Sequence, residues 1–483
     1  MLHCKGIKNI WELKNDFSYS WVEPEFINSS LKLFSFSKLS KPVSEIKNKG
    51  YGFEWLLTVL LSMPFINIKS VNSMLNGHVR HQTEAGKDVF YRLKNNSQLN
   101  WRLLHWLFAN QFKKIVDSKF APQSSSPKCL IFDDTILSKR GKKIEKVSRL
   151  YDHVTKGFIL GFKLLLMGYW DGYSFIPIDF SLHRERGSNK QKPFGLTRKE
   201  NRKQFSKKRD KSSCSYERAA ECDQSKISSV IKMFRRVISM GYKVDYVLVD
   251  SWFTCKELID VVLSVTKNPT HLIGMYKIAK TKFTYHDKKL TYSQIRGVLG
   301  KPKRCRKLKL YYLETEVDYN GRKIKLAFSK QGVNGKWKVF IGTNPRLSFI
   351  EMIEIYQIRW TIEVFFKESK QLLGLGRCQS NDFDAQIADT TITMLQYILL
   401  SMRHRIAHYE SMNGLFAELS EQIIQKRLDQ RLWGLFVELL NVMAMLFDNI
   451  DENEVMEKLF ENDEARNMIA RLFDDPNYLN IAV

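Results

Sequence analysis

Tyr356, Arg359, Glu363 and Lys370 combine a phenol, two cations and a carboxylate at spacings that suit one side of a helix. No Gly or Pro interrupts Ile353 to Leu373, and apolar residues recur at Ile355, Ile358, Ile362 and Phe365, so the pattern predicts a single helix. At about 100° per residue, all four polar side chains fall within an arc of about 60°. Such a face suits one kind of chemistry. The carboxylate can hold a metal ion while the cations and the phenol grip phosphate oxygens around it. The competing reading is a surface helix with an Arg–Glu pair at i, i+4, worth a few tenths of a kcal/mol.

Metal-assisted phosphoryl transfer needs two further carboxylates, fixed at strand ends and converging on ions about 4 Å apart. The run Cys129-Leu-Ile-Phe-Asp133-Asp134-Thr135 is a short apolar strand ending in acids. The run Val244-Asp-Tyr-Val-Leu-Val249-Asp250-Ser251 is another. In both, apolar residues lead to an Asp that opens a loop, as in a buried central strand. Side chains alternate across a strand, so only one of Asp133 and Asp134 can face the metals. Taken alone, each Asp also fits a turn or a cap.

The spacing Tyr-x2-Arg-x3-Glu-x6-Lys, with Ile355, Trp360 and Ile362 around it, resembles the signature of the IS4-type DDE transposases. The resemblance covers roughly residues 128–380 and implies an α/β, ribonuclease-H-like fold. Its mixed sheet has three antiparallel and then two parallel strands, a β-rich insertion and helical regions on either side. The resemblance makes Asp134, just before Thr135, the favoured first catalytic ligand, with Asp250 and Glu363 as the others; Asp133 stays open. The three acids would hold two Mg²⁺ ions, for which Mn²⁺ substitutes. Tyr356, Arg359 and Lys370 would position DNA phosphates. In hairpin-forming relatives a Trp from the insertion stacks on a flipped base. Trp337 is the nearest candidate, with Trp252 and Phe253 as alternatives and a core role as the competing use.

The activity implied is cutting the ends of an insertion sequence and joining their 3′-hydroxyls to target DNA. The implied partners are double-stranded DNA, as terminal inverted repeats and target, and a second copy of the chain in a synaptic homodimer. Two other readings compete: a metal-dependent nuclease or resolvase that does not join strands, and a non-catalytic DNA-binding inhibitor of transposition. The presence of all three acids argues against the inhibitor.

Charge agrees with a polyanionic partner. The 483 residues carry 77 Lys and Arg against 51 acids, a net charge of +26. The hydrophobic fraction of 44% is that of an ordinary globular protein. Seven scattered cysteines form no C-x-x-C and no zinc spacing, which fits a reducing cytoplasm. Cys255 reads as packing. The longest apolar run, Trp55–Ile68, is short and broken, and the N-terminus lacks a secretory pattern, so the expectation is a bacterial cytoplasmic protein, nucleoid-associated when bound to DNA, with no membrane partner.

Four regions follow along the chain. Residues 1–121 read as a helical region, which the resemblance implies is DNA-end-binding, with a helix-turn-helix and a plain helical bundle as equal alternatives. Residues 128–280 and 346–380 read as the catalytic domain, and 281–345 as a β-rich insertion with a turn at Asn320-Gly321. Residues 381–483 read as a helical region turning acidic between Asp451 and Asp475, suited to dimerisation, to shielding the basic surface, or to simple solvation. From Arg184 to Lys211 twelve Lys or Arg face only Glu185, Glu200 and Asp210, which predicts a mobile loop that orders on DNA. The run Lys301–Lys307 adds phosphate-binding charge.

Overall fold

The structure is a computed structural model. It describes residues 25–44, 50–76, 85–120, 126–265, 269–277, 281–407, 409 and 411–421, with isolated positions beyond. The N-terminal segment, the stretch around Gly77, most of the linker near Pro122 and nearly all of the acidic tail lie outside the described residues. Two compact units are present. One comprises Met1–Asn28, Ser62–Phe90 and Gly414–Val483, where Phe65 packs against Phe26 and Phe416 at 5.1 and 5.2 Å. The other comprises Ser29–Leu61 and Tyr91–Asn413 and holds the whole sheet.

Helices α1 (Glu25–Leu33), α2 (Phe36–Ser44), α3 (Phe53–Ser62), α4 (Val71–Asn76), α5 (Lys87–Lys94) and α6 (Trp101–Lys119) precede the strands. Asn100 caps α6 by accepting from the Leu103 N–H. The chain continues through β1 (Cys129–Ser138), β2 (Ser148–Asp152), β3 (Gly157–Trp170) and β4 (Phe175–His183). Next come α7 (Arg198–Arg202), α8 (Cys214–Glu221), α9 (Lys226–Ser239), β5 (Tyr246–Val249), α10 (Lys256–Leu263) and β6 (His271–Tyr276). β1 runs antiparallel to β3, which runs antiparallel to β4, while β5 lies parallel to β1 and β6 parallel to β5. This is the ribonuclease-H-like order, three antiparallel strands and then two parallel ones. Asp171 fixes the β3–β4 turn by accepting from the N–H groups of Tyr173 and Ser174, with Gly172 at φ 105°.

The insertion extends the same sheet. It comprises β7 (Lys282–Tyr285), β8 (Lys288–Thr291), α11 (Tyr292–Val298), β9 (Lys303–Cys305), β10 (Leu310–Tyr319), β11 (Arg322–Lys330) and β12 (Lys338–Gly342). β12 pairs antiparallel with β6, so hydrogen bonding runs unbroken from β2 to β8 across a twelve-stranded sheet. The insertion also has its own core around Phe283, Ile295, Leu313, Ile324 and Phe328. Asn320 and Gly321 both take positive φ, as the turn chemistry requires.

After β12 come α12 (Phe349–Gln357), α13 (Trp360–Gln371) and α14 (Phe383–Ala407). The single helix expected over 353–373 is therefore two. At the junction the N–H groups of Ile358, Arg359, Thr361 and Ile362 bond three residues back rather than four. That tight turn changes the rotation per residue, so a uniform 100° step does not hold through Arg359. α14 is buried along almost its whole length, and its Gln396 donates to the carbonyls of Leu60 and Leu61.

The basic stretch 184–211 is not a mobile loop. It is anchored chain containing α7, whose capping box joins Thr197 and Glu200. Lys207 reaches Asp382 and Asp384 at 3.0 and 2.8 Å, and Arg209 grips Glu145 at 2.7 Å and Asp384 at 3.1 Å. Buried carboxylates at the start of α14 demanded cations, and this strap supplies them. Among the described residues no helix is long and apolar enough to cross a membrane.

Candidate active site

β1 is a regular ladder against β3, so Asp133 and Asp134 point to opposite faces of the sheet. The two faces carry different helices. Asp133 Oδ2 accepts from Arg359 Nη1 at 2.7 Å, and Arg359 Nη2 donates to Glu363 Oε1. Thr135, on the same face as Asp133, accepts from Lys370 Nζ at 2.7 Å. α13 therefore lies over the Asp133 side. Asp134 instead meets Lys226, at the start of α9, and Lys163 of β3 at 3.7 Å. The favoured first acid, Asp134, is thus on the wrong face to join Glu363, and Asp133 is the one beside it.

Asp250 completes the group. Phe132 and Val249 form the last rung of the parallel ladder, so Asp133 and Asp250 follow it side by side. Asp250 leaves its strand there, whereas Asp133 does not open a loop as expected, because β1 runs on to Ser138 against β3. The N–H groups of Trp252 and Phe253 donate to Asp250 Oδ1 at 2.9 and 3.2 Å and fix its orientation. Burial pushes the Asp133 carboxyl up to about 7; the Arg359 charge opposes this, and the charges of Asp250 and Asp134 add to it. Burial likewise raises Asp250 above the usual carboxylate range. Against the cost of its own burial, Tyr356, Asp133 and Glu363 keep Arg359 firmly charged.

Among the described residues no three His, Cys, Asp or Glu side chains converge closely enough to hold a metal ion. Asp133 and Glu363 are both drawn onto Arg359. The donor set nevertheless suits a hard divalent cation: the acids offer only oxygen ligands, and burial raises the Asp133 and Asp250 carboxyls, a cost that a bound cation would offset.

The remaining candidates divide. The Tyr356 ring lies edge-on to Phe340 of β12 at 5.2 Å, with the Arg359 guanidinium carbon 5.8 Å from its centre, and burial raises the phenol to about 12. Trp337 is not brought to this group. It packs on the insertion's own core, with Lys330 and Arg296 at 5.1 and 5.4 Å from its ring centre. Of the two alternatives, Phe253 is buried, whereas Trp252 is 58% exposed and rests on Lys226 at 4.9 Å. Trp360, next to Arg359, is 64% exposed.

Two supports were missed from sequence. Lys226 ties Asp134 to Trp252 across the far face; its place just after the helix cap Ser225 gave no sign of it. Gly274 of β6 lies under the loop that carries Asp250. A Cβ there would meet Thr254 Oγ1 at 2.2 Å, and that hydroxyl donates to the Asp250 carbonyl at 2.8 Å. A glycine interrupting an apolar strand was the available signal.

Comparison with known proteins bears on the first half of this geometry. No curated relative matches the chain. Residues 54–273, just under half of the chain, match the family model described as DDE superfamily endonuclease; the span contains Asp133, Asp134 and Asp250 and ends before Glu363.

Proposed function

We propose that the protein is a DNA transposase of the IS4 type, which cuts the ends of its element and joins them to target DNA. The observation that carries this reading is the meeting of Asp133, Arg359 and Glu363 beside Asp250, from two parallel strands and a helix far apart in sequence. The match to DDE superfamily endonucleases over residues 54–273 supports it.

Asp133, Asp250 and Glu363 are the residues that would hold two Mg²⁺ or Mn²⁺ ions. When bound, such ions supply Lewis acidity to the phosphate and a more acidic water or 3′-hydroxyl. The chain's own side chains do the rest. The backbone donors of Trp252 and Phe253 hold Asp250 in place. Arg359 offers a planar fork to phosphate oxygens, and Lys370 a point charge on the same face. Lys370 also opens onto a groove of about 620 Å³ lined by Ser138, Arg140, Arg377 and Gln379 among others, with no acid in its wall, which suits a DNA backbone. Burial lowers the Lys370 ammonium below its usual range, so a phosphate partner would restore its preference for charge. The exposed rings of Trp252 and Trp360 offer stacking faces to splayed bases.

The test uses the source DNA, the coding region and its flanks as one linear fragment, incubated with the full chain and Mg²⁺. Paired cuts flanking the gene, lost in Glu363→Gln, are expected, followed by joining to a second DNA. Cutting without joining would support the nuclease reading instead. Salt-sensitive binding with no cutting would support the inhibitor.

A further inference from the structure

Arg359 holds two of the three proposed ligands with one guanidinium. Its Nη1 lies 2.7 Å from Asp133, and its Nη2 contacts Glu363. The Arg359 and Asp133 side chains are only 15% and 17% exposed, so solvent screens this contact poorly. A guanidinium does not deprotonate in proteins, so it cannot yield its place by losing charge. A divalent cation seeks the same carboxylate lone pairs. Both cations on the same oxygens would repel each other strongly in so dry a place. One must therefore displace the other.

The displaced guanidinium needs another acceptor. A phosphate offers the same paired-oxygen geometry that a carboxylate does. The backbone also allows a change. Arg359 sits in the tight turn between α12 and α13, where hydrogen bonds run three residues back, a geometry that often marks a hinge within a helix.

We propose that Arg359 gates metal loading: it occupies Asp133 and Glu363 until a DNA phosphate draws it away, so that metal binding and DNA capture strengthen each other. This rests on the reading of Asp133 and Glu363 as metal ligands. Linkage makes the effect reciprocal, so DNA raises metal affinity by the factor that metal raises DNA affinity. The gate would keep the protein poorly loaded away from DNA.

The test is Mn²⁺ binding to the full chain, read from the paramagnetic resonance signal of free Mn²⁺, with and without the linear fragment described above. The variants are Arg359→Gln, Arg359→Lys, Asp133→Asn and Glu363→Gln, each checked for folding by circular dichroism. Without DNA, Arg359→Gln is expected to bind Mn²⁺ about tenfold more tightly than the wild type. Arg359→Lys, whose single ammonium spans two carboxylates poorly, falls between and serves if the glutamine variant misfolds. DNA tightens Mn²⁺ binding in the wild type and does so much less in Arg359→Gln. Equal or weaker Mn²⁺ binding by a folded Arg359 variant overturns the gate. If Asp133→Asn and Glu363→Gln leave Mn²⁺ affinity unchanged, the ligand assignment itself fails, and the gate with it. If those two lose Mn²⁺ while the Arg359 variants gain nothing, the assignment stands and only the gate falls.

Discussion

Asp133 and Asp134 share a backbone and differ in the face of β1 they occupy, which gives them opposite mutational outcomes. Asp133→Asn should reduce cutting by more than about a hundredfold, beyond the usual loss for a residue that merely supports a metal ligand. Asp134→Asn should leave cutting within about tenfold of wild type while lowering the melting temperature, because Lys163 and Lys226 lose a shared partner. Equal loss of cutting in both variants, measured on a labelled fragment, would place the catalytic face wrongly. The sequence displayed both acids but not the parity of the strand. Phe132 and Ile131 are equally apolar and equally buried, so neither betrays which side faces the solvent-accessible end. Only Lys370 on Thr135 and Arg359 on Asp133, pairs more than two hundred residues apart in the chain, decide it. The contact between Arg359 and Glu363 was easier to read because its spacing is local.

Elements were legible where local chemistry defines them. Strands β1, β3, β4, β5 and β6 follow apolar runs, and α9 follows its amphipathic stripe. The strap over 184–211 was not legible, because Lys207 and Arg209, which anchor it, pair with carboxylates at Glu145, Asp382 and Asp384, distant in sequence. Its members now separate by role. Arg209→Ala should cost about 3–5 kcal/mol in chemical denaturation, since it strands buried acids. The exposed cations on and beside α7 should act on DNA alone. Replacing Lys199, Arg202 and Lys203 with Gln should leave stability unchanged and make the salt dependence of DNA binding shallower, by about 0.9 for each phosphate no longer neutralised. An unchanged salt slope would show that DNA passes elsewhere. Trp337 makes a third contrast: Trp337→Ala should loosen the insertion's core without a specific loss of base stacking, detectable as lower melting temperature with normal cutting at low temperature.

Across the whole molecule, buried ionisable groups set a response to acid. Burial holds His105 and His183 down to about 4 from the usual 6.5. Their depressed values stabilise the folded state above about pH 6.5, and that contribution is lost as pH falls through 4, on the order of 3 kcal/mol for each. Asp179 follows at lower pH. Against the cost of burial, Arg102, Arg236 and Arg218 hold it at about 2, so its contribution persists above about pH 4 and disappears as pH falls through 2. The raised carboxyls of Asp133 and Asp250 act in the opposite sense over the upper range, so the histidine contribution is read by difference: His105→Gln should lose less stability than the wild type between about pH 6.5 and 4. Equal losses in the two proteins over that range would show that His105 does not remain neutral in the folded chain.

The unbroken sheet has a further consequence, for the order of assembly during synthesis. A ribosome that has released the chain through β6 has delivered both aspartates and the strands that carry them. Glu363 follows only after six more strands, and α12 leaves the sheet from β12, itself paired with β6. Contacts of such long range form late, because the loop must close before they are rewarded. On the proposed ligand assignment, the incomplete polypeptide would thus be chemically silent while it is still tethered to the ribosome.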